Sequence, residues 1–155
     1  MSKPAGEYRL IVRLLTAGIA AILTACSGEA TLDPFASDGC SLFPDRSQIS
    51  ADDWCNCCFE HDIAYWRGGT AEEREAADIQ LRDCVQRATN NAALARVMYE
   101  GVRIGGSPYF HNWYRWGYGW NDGRRYQALT PAEDTEADRL LNDYFSDTPT
   151  AVCPV

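Results

Sequence analysis

A chain of 155 residues with 14 Lys and Arg against 22 Asp and Glu carries a net charge of −8. That balance argues against nucleic acid as a partner, where affinity comes from neutralising phosphates. It also argues against strong electrostatic attraction to anionic lipid. The length suits one domain with a modest core.

In chain order, Lys3, Arg9 and Arg13 precede twelve uncharged, mostly apolar residues, 14–25. The run is too short to span a bilayer and suits the apolar region of an export signal. It ends Leu23-Thr24-Ala25-Cys26, which resembles a bacterial lipobox, with Cys26 lipidated and becoming the mature N-terminus. Residues 1–25 are therefore expected to be a lipoprotein signal peptide, 26–37 a lipidated polar tether and 38–155 the folded domain. Ser27 is not the acidic residue associated with inner-membrane retention, so in a Gram-negative cell the outer membrane is the expected home. The acyl anchor would supply the membrane attachment. We expect a monomer.

Leaving out residues 1–25 removes Lys3, Arg9, Arg13 and Glu7, so eleven arginines, no lysine and 21 acidic residues remain, a balance of −10. Six cysteines also remain, at 40, 55, 57, 58, 84 and 153. An even number in an exported chain suggests three disulfides, with fifteen possible pairings. A zinc site from Cys55, Cys57, Cys58, Cys84 and His61 is the rival use.

Residues 38–50 read as loop, with Gly39 and Pro44. A first helix is expected to open with Ser50 as N-cap, Asp53 three residues on, and to stop at Gly68-Gly69. Thr70-Ala71-Glu72-Glu73 is a capping box for a second helix to about Thr89. Its expected apolar stripe is Ala76, Ala77, Ile79, Leu81, Cys84, Val85 and Ala88. A shorter third helix is expected over about 92–100, then a Gly- and aromatic-rich stretch, 101–123, with room for a short hairpin. Thr130-Pro131-Ala132-Glu133 opens a last helix that buries Ala137, Leu140, Leu141, Tyr144 and Phe145. The class is mainly α and disulfide-stapled.

The chemistry concentrates in Cys57-Cys58-Phe59-Glu60-His61-Asp62-Ile63-Ala64-Tyr65. On a helix, Cys58, His61, Asp62 and Tyr65 share a face, placing a potential base beside a potential hard-metal ligand. The Cys-Cys-x-x-His-Asp run resembles the signature of the secreted phospholipase A2 superfamily, and the match covers roughly residues 38–84. The resemblance implies two long antiparallel helices, a calcium loop before the first and a helper aspartate on the second. Asp78 fits that role, six residues before Cys84 as in the family. The pairs Cys57–Cys84, His61–Asp78 and Ala64–Ala77 have nearly equal position sums, as antiparallel neighbours must. The last pair falls where the family usually has a further bridge, and both cysteines are missing together.

The resemblance implies these roles. His61 would take a proton from water attacking an ester carbonyl. Asp78 would fix its tautomer, and Tyr65 would donate to Asp78. Asp62 would bind Ca²⁺, joined by backbone carbonyls around Gly39, Ser41 and Phe43. The implied bridges are Cys40–Cys58 and Cys57–Cys84, which leaves Cys55 and Cys153 to tie back the C-terminus. The loop Cys40-Ser41-Leu42-Phe43-Pro44-Asp45 lacks the family's glycines, so Asp38 or Asp45 could also supply a carboxylate. The expected activity is calcium-dependent hydrolysis of the sn-2 ester of glycerophospholipids. The alternative is a non-catalytic envelope lipoprotein whose scaffold binds a lipid or protein partner. Trp113, Trp116 and Trp120, with Tyr109, Phe110, Tyr114 and Tyr118, are read as filling a small core, with an acyl channel or lipid interface as the other use. Arg103 and Arg115 would meet either a lipid phosphate or a carboxylate, and His111 is read as structural.

Overall fold

The computed structural model describes residues 31–147 and Cys153. The expected signal peptide and the lipidation site at Cys26 lie outside the described residues. Four helices form: α1 (Cys55–Arg67), α2 (Ala71–Thr89), α3 (Ala92–Gly105) and α4 (Pro131–Asp147). Among the described residues there is no strand, and the only β pairing is in the isolated bridges Leu32–Trp120 and Arg46–Asp53. No described helix is long and apolar enough to cross a membrane. The mainly helical, disulfide-stapled class is therefore borne out, and the hairpin in the aromatic stretch is not formed.

α1 starts five residues after the expected cap. Ser47 spends its hydroxyl on the amides of Ile49 and Ser50, and Ser47 N–H donates to the Asp52 carbonyl at 2.8 Å. Hydroxyl and carboxylate side chains compete with the helix for backbone groups in this way. The helix opens only at Cys55, whose amide donates to Asp53 Oδ1 at 2.9 Å.

All three bridges are rooted in the first turn of α1: Cys40–Cys58, Cys55–Cys153 and Cys57–Cys84. That pairing removes the cysteines from any zinc site. The far end of α1 is held differently. A helix leaves its last carbonyls without partners, and here the aromatic loop supplies them. Gly117 N–H donates to Tyr65 O at 2.6 Å, Gly119 N–H to Trp66 O at 3.2 Å, and the Trp120 indole to Arg67 O at 2.7 Å. Arg115 braces that loop through the carbonyls of Gly117 and Trp120.

α2 follows its capping box, with Thr70 and Glu73 bonding reciprocally. Asn90 ends it in the left-handed region at φ 50°, and Asn91 immediately caps α3. Ala77, Leu81 and Val85 of the expected α2 stripe are buried, and Arg74 and Asp78 are buried beside them. Ala76 and Ala88 face solvent instead. α3 runs past Gly101 to Gly105, because its last turn is anchored to α2 and its Ala95 and Met98 are buried.

One core cluster joins Trp54, Leu81, Val85, Ala95 and Met98 around the disulfides between α1, α2 and α3. A second joins Leu32, Phe35, Trp66, Trp120 and Ala137. Residues 31–37 of the expected tether are thus partly core. Leu140, Leu141 and Tyr144 pack against this cluster, while Phe145 stays exposed.

The Cys57–Cys84 bridge spans a sequence separation of 27. Replacing both residues with alanine is expected to lower the unfolding free energy by about 3 kcal/mol, read from the guanidinium midpoint. A loss below about 1 kcal/mol would show that packing alone sets the helix register.

Candidate active site

α1 and α2 run side by side, and their buried stripes bring His61, Tyr65 and Asp78 together. His61 Nε2 lies 2.8 Å from Asp78 Oδ1, and the Tyr65 hydroxyl donates to the same oxygen at 2.8 Å. Asp78 is 0 % exposed. An ionised carboxylate only accepts, so Nε2 carries a proton, and in the neutral imidazole the lone pair lies on Nδ1. Among the described residues Nδ1 has no hydrogen-bond partner. His61 lines a cavity of about 330 Å³ together with Asp62, Leu42, Phe43, Met98 and Val102.

Tyr65 is fixed on every side. Its ring packs against His61 at 4.1 Å between centroids, tilted by 35°, and meets Trp116 edge-on at 5.1 Å. Gly106 approaches so closely that a Cβ there would stand 2.8 Å from the Tyr65 hydroxyl. That contact requires glycine at the end of α3. Burial first, and then the Asp78 charge, push the Tyr65 phenol up, so it remains a donor.

Two arginines complete the surroundings of Asp78. Arg103, on α3, donates to Asp78 Oδ2 at 2.7 Å. Arg74, one turn before Asp78 on α2, lies 3.8 Å from Oδ2. Arg74 is buried, and it donates to the hydroxyls of Tyr65 and Tyr126 and to the carbonyls of Val102 and Arg103. Burial would raise the Asp78 carboxyl, but the bonds from His61 and Arg103 outweigh it and hold it below the usual carboxylate range. Arg103, read from the sequence as meeting either a lipid phosphate or a carboxylate, meets the carboxylate, whereas Arg74 was missed. The spacing of four between Arg74 and Asp78 was a signal, since such pairs meet on one helix face. Which carboxylate Arg103 meets had no such signal, because that contact crosses between helices.

Asp62 is the opposite case. It is 8 % exposed and accepts a 2.6 Å bond from the Ser37 hydroxyl. Burial raises its carboxyl to about 7; Ser37 opposes this, and Asp38 and Asp45 add to the rise. Among the described residues it has no ion-pair partner. Asp38 instead accepts from Ser41, and Asp45 from the Cys40 amide at 2.8 Å. Gly39 stands at φ 78°, where a Cβ would run into the Asp45 carboxylate. None of the hydrogen bonds among the described residues is accepted by the carbonyls of Gly39, Ser41 or Phe43. Among the described residues no group of three or more His, Cys, Asp or Glu side chains is arranged to hold a metal. A hard cation needs no such group when one carboxylate is joined by backbone carbonyls. Asp62, on α1, lines the same cavity as Gly39, Ser41 and Phe43, so the residues present suit that donor set.

Trp116 and Trp120 are core residues, whereas Trp113 is exposed and Tyr114 lines the cavity. His111 lies at the surface beside Asp122, and Arg115 pairs with the same carboxylate.

The raised Asp62 carboxyl has a definite linkage sign. Below the unfolded pKa of 3.8 it has no effect; its destabilisation grows as pH rises and is complete above about 7. Without divalent cation, Asp62→Asn is expected to stabilise the fold by about 4 kcal/mol at pH 8 and about 2 kcal/mol at pH 5. Paired denaturation curves in chelator at the two pH values check it, and a gap independent of pH would refute it. No family model, curated protein or solved structure matches this chain.

Proposed function

We propose that this protein is a calcium-dependent hydrolase of the sn-2 ester of glycerophospholipids, with a phospholipase A2-like fold and calcium loop. In this reading it is exported and anchored to the cell envelope by acyl chains on Cys26. The observation that carries the reading is the 2.8 Å contact of His61 Nε2 with Asp78 Oδ1, which leaves Nδ1 as a base on the cavity wall.

The chain's own residues then act as follows. His61 Nδ1 takes a proton from water as its oxygen attacks the ester carbonyl, and Asp78 stabilises the imidazolium that forms. The same proton passes to the leaving glycerol oxygen as the acyl bond breaks, giving a fatty acid and a lysophospholipid. Tyr65 keeps Oδ1 of Asp78 aligned. Asp62 and the carbonyls of Gly39, Ser41 and Phe43 would hold calcium, which supplies charge to the carbonyl oxygen. The largely apolar cavity, bounded by Phe43, Met98 and Val102, suits an acyl chain. Its rim carries Leu42 at 76 % exposure and Val97 at 61 %, an arrangement suited to lipid.

Fatty-acid release from mixed micelles, with and without chelator, tests the reading. Wild-type protein should turn over only with calcium, and His61→Gln should lower the rate by roughly 10²–10⁴-fold. Asp78→Asn should lower turnover while calcium still binds, as read by calorimetry. No release by correctly folded wild-type protein would instead make the scaffold a binding module for a lipid or protein partner.

A further inference from the structure

Asp78 offers two oxygens, and the interactions on them are divided between helices. Oδ1 serves His61 and Tyr65, both on α1, whereas Oδ2 accepts from Arg103 on α3 at 2.7 Å. A carboxylate torsion is broad and roughly two-fold, so packing alone fixes it poorly. An oxygen left bare in a fully buried site costs its desolvation, and rotation to find another donor would relieve that cost. Such a rotation would take Oδ1 away from the imidazole. Arg103 prevents it by occupying Oδ2. Its own backbone is held as well, because the buried Arg74 donates to the carbonyls of Val102 and Arg103 at 2.9 Å each. The clasp is reciprocal: α2 grips the end of α3 through Arg74, and α3 grips Asp78 through Arg103.

We propose that Arg103 is a positioning residue for the His61–Asp78 pair, holding the carboxylate so that one oxygen stays on the imidazole. Its catalytic consequence rests on the hydrolase reading above, but the geometric claim does not. The bland alternative is a partly exposed ion pair, since the Arg103 side chain is 30 % exposed and such pairs contribute little. The two differ in what a long apolar side chain would do. Packing is kept by Arg103→Met, whereas the donor is kept only by Arg103→Lys.

Both variants are made in the full, oxidised chain and compared by micelle kinetics and by proton NMR of the His61 Nε2–H. For Arg103→Met, kcat is expected to fall roughly 10- to 100-fold with KM changed less than about twofold. Its imidazole proton signal should broaden through faster exchange. Arg103→Lys should recover most of both. An Arg103→Met protein with wild-type kcat and an unaltered signal overturns the proposal. So does a loss expressed mainly in KM, which would make Arg103 a contact to the lipid phosphate. If wild-type protein releases no fatty acid but the signal still depends on Arg103, the hydrolase reading fails and the positioning role stands.

Discussion

A carboxylate with no exposed surface must be matched by donors or bear the cost of its desolvation, and Asp78 imposes that demand on three helices at once. Removing water from such an ion costs several kcal/mol, recovered only when its remaining lone pairs are filled. His61, Tyr65 and Arg103 fill them, with Arg74 adding charge at 3.8 Å. Each donor comes with a constraint. His61 and Tyr65 fix the register of α1 against α2. Arg103 requires α3 to continue past Gly101, and Tyr65 in its place requires Gly106 to have no side chain. The polar centre therefore specifies the arrangement more narrowly than the apolar contacts around it, which would tolerate repacking.

The helix that carries His61 is secured at both ends by unrelated means. Covalent bonds hold its first turn, where Cys55, Cys57 and Cys58 each form a bridge. Hydrogen bonds hold its last turn, where loop amides and the Trp120 indole meet the free carbonyls. The aromatic stretch thus has a structural task that its composition alone did not disclose: it is the C-terminal cap of α1. A side chain midway between two fixed ends has little freedom to drift, which suits the base role proposed for His61.

The helices with reciprocal caps were legible in the sequence. Thr70 with Glu73 and Thr130 with Glu133 mark their starts correctly, because capping is decided within four residues. The His61–Asp78 pairing was legible for a different reason, since the motif and an antiparallel register both pointed to it. Errors arose where distant contacts overrode local rules. Gly101 reads as a stop, yet α3 passes through it because Arg74 satisfies carbonyls beyond. The stripe of α2 was read from its apolar residues alone, so it included Ala76 and Ala88, which face solvent, and left out the buried Arg74. Leu32 and Phe35 read as tether because two apolar residues in a polar run show no period; their partners, Trp66 and Trp120, lie far along the chain.

The two aspartates of the site differ in one respect that matters for chemistry. Asp78 is provided with positive charge by the chain itself, so its ionisation is secure. Asp62 is buried beside Asp38 and Asp45 with only a serine hydroxyl to help it, and its carboxyl is pushed to about 7. A fold that leaves a buried charge uncompensated at the cavity wall loses stability unless a cation from outside restores it. Binding such a cation would therefore gain the free energy that the empty arrangement forfeits, coupling metal affinity to folding. The arginines gather around Asp78, and among the described residues none pairs with Asp62. That separation of charge, more than the presence of a histidine, is what supports reading the pair as an orienting group and a metal ligand.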